Sequence, residues 1–351
     1  MKKVSTPFLL LCILVLLTGC WKSGEPKASS NLATSPYKRT EFLMGTVVTV
    51  KIYDKDKESV LTPVFERIQI LANQITVNEK DSVIADVNAN AGVRPVAVSE
   101  DIFELIKAGQ SYSGLTKGAF DISVGPLTSL WHIGFPDARK PEQAEIDAAL
   151  EKIDYKQVEL NDKNHTIFLK QKGMQLDLGA IAKGFITDEV VKVLKAHNVQ
   201  SAIVDLGGNI FVLGKNPTNE NWTVGIQNPF LPRGEIIGKL PESNHSIVTS
   251  GIYERYLEVG QIKYHHLLNP KDGYPFNNDI AGVSVISKKS IDGDALSTSI
   301  FSKGIKEGLD FVEELDNVEA IFISTDKKVF ITSGLKNSFE LTSTDFESAN
   351  F

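Results

Sequence analysis

The feature that most limits what this chain can fold into is the way its short strands arrive in pairs. "SAIVDLGGNIFVLG", residues 201–214, reads as a strand, a Gly-Gly turn and a second strand. A turn that short only permits an antiparallel return. Further runs follow at 222–227, 235–240, 246–249, 253–259 and 280–287, with "EAIFIS" and "KVFITS" near the C-terminus. Strands that succeed one another without helices between them argue against a doubly wound α/β fold. They predict an α+β fold with a mixed or antiparallel, strand-rich core and flanking helices.

The helical periodicities are placed around that core. Val60, Val64, Ile68 and Leu71 share a face over 57–74, and Ile102, Leu105 and Ile106 share one over 101–113. A short helix is expected at 142–152, and another after "LDLGAIAKGF", carrying Ile186, Val190, Val193 and Leu194. A last helix is expected from 294 to about 314. "FLMGTVVTVKIYD", residues 42–54, reads as one strand, 157–170 as a hairpin, and "KGAFDISVGPLTSLW" as a loop-rich segment. No internal repeat and no sharp linker divides this region, so one domain over 37–351 is expected.

The N-terminus does not belong to that domain. Lys2 and Lys3 precede the apolar run "FLLLCILVLL", too short to span a bilayer as a mature helix. The run ends in "LTGC", small residues before Cys20. That segment is similar to a bacterial lipobox, which implies a lipoprotein signal peptide over 1–19 and lipid on the Cys20 sulfur. Residues 20–36, rich in Ser, Ala, Pro and Lys, read as a flexible tether. Cys12 lies in the signal and is the only other cysteine, so the mature chain has no disulfide. The expected location is the extracytoplasmic face of the cell membrane, held by the lipid. With a net charge of −7 the chain offers nothing to a nucleic acid.

Chemistry concentrates in a few segments. In "SIDGDALSTSIF" the apolar stripe of Phe301, Ile305, Leu309 and Val312 also contains Asp294 and Thr298. A carboxylate near a helix start often caps it, which suits Asp292. One on a buried stripe needs a partner, and a hard cation such as Mg²⁺ is a second reading of Asp294. In "LDLGAIAKGF", Asp177, Gly179, Lys183 and Gly184 sit where a small-residue turn opens a helix, an arrangement suited to an anion and equally to a tight strand–helix connection. Gly207 and Gly208 follow Asp205 in what is also an ordinary hairpin turn. His265 and His266 precede the turn-rich "NPKDGYP". Adjacent strand residues face opposite ways, so at most one serves a given site. No H-E-x-x-H, C-x-x-C or G-x-S-x-G is present, which argues against zinc proteases, redox dithiols and α/β-hydrolases.

Taken in order, "MGT", "GAFDISVGPL", "LDLGAIAKG", "DLGGN", "TSGIYERY", "HHLLNPKDGYP" and "DGDALST" closely resemble the FAD:protein FMN transferases, the ApbE-type flavin transferases. The resemblance runs from about residue 40 to the C-terminus. It implies FAD as substrate, Mg²⁺ at its pyrophosphate, and transfer of FMN to a Thr or Ser hydroxyl of an exported acceptor protein with release of AMP. It places the metal on Asp294, Thr298 and the Ala180 carbonyl. It places FAD against Met44, Gly118, Ala119, Phe120, Asp177, Lys183 and Leu267, and makes His266 the base for the acceptor hydroxyl. The chain departs from the family where a tyrosine is common: "ITVNEKDS" aligns Asn78 there, and an aromatic stacking contact is lost. Two other readings compete, a metal-dependent FAD pyrophosphatase releasing free FMN and a lipoprotein that only binds flavin.

Overall fold

The computed structural model describes residues 31–350. The signal, Cys20 and most of the tether lie outside that range. The domain is built on a nine-stranded sheet whose neighbours are in chain order: Leu32–Leu43, Thr46–Asp54, Ala202–Leu206, Asn209–Leu213, His245–Gly251, Ile280–Ser287, Val318–Ser324, Lys328–Ile331 and Glu347–Ser348. Each adjoining pair is antiparallel except the last, which is parallel. The paired strands of the sequence thus become one meander, and the α+β expectation holds.

Eight helices accompany the sheet among the described residues: α1 Leu61–Ile75, α2 Val83–Ala89, α3 Glu100–Leu115, α4 Gly125–Trp131, α5 Gln143–Leu150, α6 Ala182–Ala196, α7 Ser290–Phe301 and α8 Gly304–Glu313. The first six all fall between the second and third sheet strands. Alternation along the strands divides the core. Val204 and Leu206 join the helical cluster containing Ile68, Leu105 and Ile186. Val283, Val285 and Phe322 pack with Leu296, Ile300 and Ile305 of α7 and α8. Ile286, Ile321 and Ile323 point the other way, onto Val224, Ile226 and Leu240 of the small sheet formed by Glu340–Leu341, Ile236–Glu242 and Trp222–Gln227. Ile280–Ser287 is buried at every position, as a central strand covered on both faces must be.

Four expectations are corrected. The strand expected at 42–54 is a hairpin, because Met44 and Gly45 both take positive φ (54° and 70°) and fold Leu32–Leu43 back onto Thr46–Asp54. That first strand includes residues 32–36, which composition had placed in the tether. The loop-rich segment contains α4: Pro126 stands in its first turn, where a missing N–H costs nothing. The last helix starts at Ser290 and breaks after Phe301, with Gly304 at φ 75° and the Ile305 N–H bonded to the Asp279 carboxylate at 3.1 Å. The apolar stripe runs through that break, so periodicity alone reported one helix.

Candidate active site

Burial dominates α7. Ser290, Gly293, Asp294, Ala295, Leu296, Ser297 and Ser299 are all inside the protein. A helix buried all round must satisfy its polar groups locally. Hydroxyl pairs pin it to the strand His245–Gly251: Ser246 Oγ donates to Ser290 Oγ at 2.8 Å, and Ser250 meets Ser297 at 2.8 Å. Its first turn is held by α6. The Asp188 carboxylate accepts from the Ser290 and Ile291 N–H groups at 2.8 and 3.0 Å. Burial is the main reason the Asp188 carboxyl is pushed up to about 6. The Tyr112 hydroxyl donates to Asp292 at 2.7 Å, so Asp292 faces away from the cleft chemistry.

The starts of α6 and α7 touch through Gly184. A Cβ built there would lie 2.4 Å from the Ser290 carbonyl oxygen, so only glycine fits. The Gly184 N–H donates to Asp294 Oδ2 at 2.8 Å, and Lys183 Nζ to Oδ1 at 3.2 Å. A regular helix would send the Gly184 N–H to the Ala180 carbonyl. The diversion leaves that carbonyl outside the hydrogen-bond ladder, on a residue that lines the cleft.

Asp294, Thr298, Ala180 and Lys183 line one cavity of about 760 Å³. Met44, Asn78, Ala119, Phe120, Asp177, His266 and Leu267 line it too. Of the residues expected there, Gly118 alone is not brought to it and instead lines a neighbouring cavity of about 460 Å³ beside Tyr155. Asp177 is oriented by Thr128 Oγ1 at 2.6 Å and the Gly179 N–H at 2.8 Å.

The two histidines point to different places because the strand ends at His265 and the chain bends at His266. His265 ends the strand Ile262–His265 and turns inward. Its Nε2 meets the Phe276 carbonyl at 2.8 Å and its Nδ1 accepts from the Leu267 N–H at 3.3 Å, so both nitrogens are occupied. His266 reaches the cleft. Its Nδ1 lies 3.2 Å from the Arg255 carbonyl, which fixes the proton on Nδ1 and leaves Nε2 as the acceptor. Desolvation, the largest cause, and the charges of Arg255, His265 and Lys183 together lower the His266 pKa to about 3, against the raising effect of the hydrogen bond to the Arg255 carbonyl. The imidazole is therefore neutral at physiological pH, the state a base requires.

The oxygen donors fit a hard cation. One carboxylate, one hydroxyl with no hydrogen bond to another described residue (Thr298) and one freed carbonyl (Ala180) make a partial oxygen set of the kind a hard cation shares with phosphate groups. Among the described residues no group of three or more His, Cys, Asp or Glu side chains is assembled for a metal. Sequence reasoning missed Arg233, Arg255, Thr128, His132 and Phe135 on the cleft wall. Arg255 stood in a quoted segment, "TSGIYERY", without being singled out. The others lie in turns or an unrecognised helix, where periodicity carries no signal.

The model of the ApbE family matches residues 44–322. The FAD:protein FMN transferase of Klebsiella pneumoniae (strain 342) is 38% identical over 297 residues, covering 85% of this chain and 92% of that protein. The enzyme of the same name from Treponema pallidum (strain Nichols) is 35% identical, covering 90% and 92%. The crystal structure of the ApbE protein of Thermotoga maritima superposes with a TM-score of 0.79 at 28% identity, over 86% of this chain and 98% of that one.

Proposed function

The chain belongs to the ApbE family and is an FAD:protein FMN transferase; from that premise we propose that it joins FMN to a Thr or Ser hydroxyl of an exported acceptor protein through a phosphoester bond, with Mg²⁺ at the pyrophosphate. The observation that carries the reading is one cavity bringing together Asp294, Thr298, the Ala180 carbonyl, Lys183 and a neutral His266. Such a reaction needs positioning and charge neutralisation more than covalent chemistry.

Each residue has a part. Asp294, Thr298 and Ala180 would hold Mg²⁺, which when bound neutralises phosphate charge. Lys183 exchanges its contact with Asp294 for a phosphate oxygen. His266 Nε2 takes the acceptor hydroxyl proton as the oxygen attacks the phosphorus on the FMN side. The new P–O bond forms as the bond to the AMP phosphate breaks, and AMP leaves with the electron pair. Bound phosphates, being anionic, raise the His266 pKa from its low value and strengthen it as a base.

Incubating the protein with FAD, Mg²⁺ and a Thr-containing acceptor peptide tests this. The expected result is AMP release with a peptide mass gain of one FMN, and AMP with free FMN only would overturn transfer. That hydrolytic outcome is the second reading. Asn78 favours it, because a short, exposed polar side chain on the cleft wall leaves water a path.

The lipid anchor is part of the same proposal. Cleavage before Cys20 and lipidation of its sulfur would place the domain on the outer leaflet, where an exported acceptor is met. Cys20→Ala is expected to release the protein from membranes or leave it unprocessed, and unchanged fractionation with normal processing would refute the anchor.

A further inference from the structure

FAD carries two planar heteroaromatic systems, and a cleft that binds it needs a flat apolar face for at least one. Met44 and Asn78 offer none. Of the Phe, Tyr and Trp side chains on the cavity wall there are two, Phe120 and Phe135. Phe120 is 4% exposed and spends its faces on the core, while Phe135 is 39% exposed.

Phe135 is not a loose side chain. Its ring lies parallel to the His132 imidazole, with centroids 4.1 Å apart and planes 10° apart. His132 closes α4 in the left-handed region, φ 47°, with its N–H on the Thr128 carbonyl at 2.9 Å. Its Nδ1 is 2.7 Å from the Asp137 carboxylate, which fixes the imidazole plane. Gly134, at φ 99°, makes the bend that returns Phe135 onto His132, and a Cβ there would stand 3.0 Å from Arg255 Cδ. Thr128, one turn earlier on α4, holds Asp177. The stack is thus built on the same helix that orients a residue of the site.

We infer that the His132–Phe135 stack is a ring-binding wall of the cleft, with Phe135 receiving a planar heteroaromatic ring of FAD, isoalloxazine or adenine. The inference rests on the proposed use of FAD. An aligned, pre-fixed stack offers a flat polarisable face with little ordering cost. It supplies the contact that Asn78 does not.

The test uses the full protein with FAD, FMN and AMP as separate ligands, read as equilibrium affinity by flavin fluorescence or calorimetry. Phe135→Leu keeps apolar volume and removes the flat ring. It is expected to weaken FAD binding about 5- to 100-fold, the range for losing one base–aromatic stack. Phe135→Trp is expected to stay within about threefold of the native protein. The half-molecule that loses affinity by the same factor, FMN or AMP, identifies the ring. FAD affinity unchanged in Phe135→Leu would overturn the wall alone. So would a loss that neither FMN nor AMP reproduces. No FAD binding by the native protein would overturn the parent reading and the wall with it.

Discussion

Two ion pairs line the same cleft at nearly the same length and differ in almost everything else. Lys183 Nζ stands 3.2 Å from Asp294, whose side chain is 4% exposed; Arg233 stands 3.3 Å from Glu254, whose side chain is 32% exposed. The Asp294 carboxylate also holds a backbone N–H of the neighbouring helix start. Arg233 has one further contact, the Gly207 carbonyl at 3.2 Å. A buried charge cannot be abandoned, so whatever replaces Lys183 must itself be a cation or a donor. An exposed pair can part into water at little cost. On the proposed reading the inner wall is where partners would exchange while the acceptor stays fixed, which is what binding a cation and a polyphosphate requires.

The largest expected effect breaks the inner member. Asp294→Asn keeps an acceptor for the Gly184 N–H and removes the charge. Transfer should fall on the order of 10³-fold, the upper end for one preorganised electrostatic group, with the melting temperature nearly kept. Asp294→Ala should lose activity as fully and also about 1–3 kcal/mol of stability, because the Gly184 donor is left buried and unpaired. AMP release and a denaturant curve for both variants separate the two effects. Native-like turnover in Asp294→Asn would remove the carboxylate from the chemistry.

Next comes His266→Ala, expected to slow FMN attachment by about 10²–10³-fold, within what a positioned base supplies. FAD affinity should change little. His265→Ala should instead cost stability, because its two ring nitrogens bridge Phe276 and Leu267. The pH sign is fixed by the lowered pKa. Below the unfolded value near 6.5 the unfolded chain binds a proton that folded His266 refuses until about pH 3. Native stability therefore falls as pH drops through that window. His266→Ala lacks this penalty, so its stability relative to the native protein should improve as pH falls from 6.5 toward 3. A constant difference across that range, by urea titration at several pH values, would contradict a desolvated, neutral imidazole on the cleft wall.

The same contrast explains what was readable in the sequence. Asp294 and Thr298 stood out because a carboxylate and a hydroxyl on an apolar stripe break a strong local pattern. Gly184 and Lys183 stood out because glycine at a helix start has few uses. The meander was visible in its strand pairs. The rim was not visible, because Arg233, His132 and Phe135 sit in turns whose placement is set by positive-φ residues and by contacts far along the chain. The Met44–Gly45 turn was hidden for a related reason: Phe42–Asp54 is continuously β-rich, and composition does not show where a strand reverses. The break between α7 and α8 was masked because Phe301 and Ile305 keep helical spacing across it and share one core cluster.

A smaller effect is expected from Gly184→Ala, which tests contact between the helix starts without touching a charge. The new methyl would meet the Ser290 carbonyl oxygen at 2.4 Å, so α6 and α7 must shift apart. Overpacking of this kind costs about 1–3 kcal/mol. The shift should also pull Asp294 from Lys183, so activity falls in step with stability. A variant as stable as the native protein but inactive would mean that the glycine serves a ligand's approach instead.

The smallest effect belongs to the outer pair, and it decides whether burial or bond length sets the worth of these contacts. Glu254→Gln keeps the shape and a hydrogen-bonding oxygen and removes the charge facing Arg233. Both side chains are substantially exposed, so the pair gains little in water and is screened by salt. The stability change should be below about 0.5 kcal/mol at physiological ionic strength and should vanish in about 1 M salt. Lys183→Met removes both the charge and the donor at the inner pair. It leaves the Asp294 charge buried with only the Gly184 N–H, and it should cost several times more, with little response to salt. The two variants measured side by side over a salt series give the comparison directly. Equal losses would mean that the rim is held as firmly as the inner wall, and the distinction between a fixed acceptor and an exchangeable rim would have to be given up.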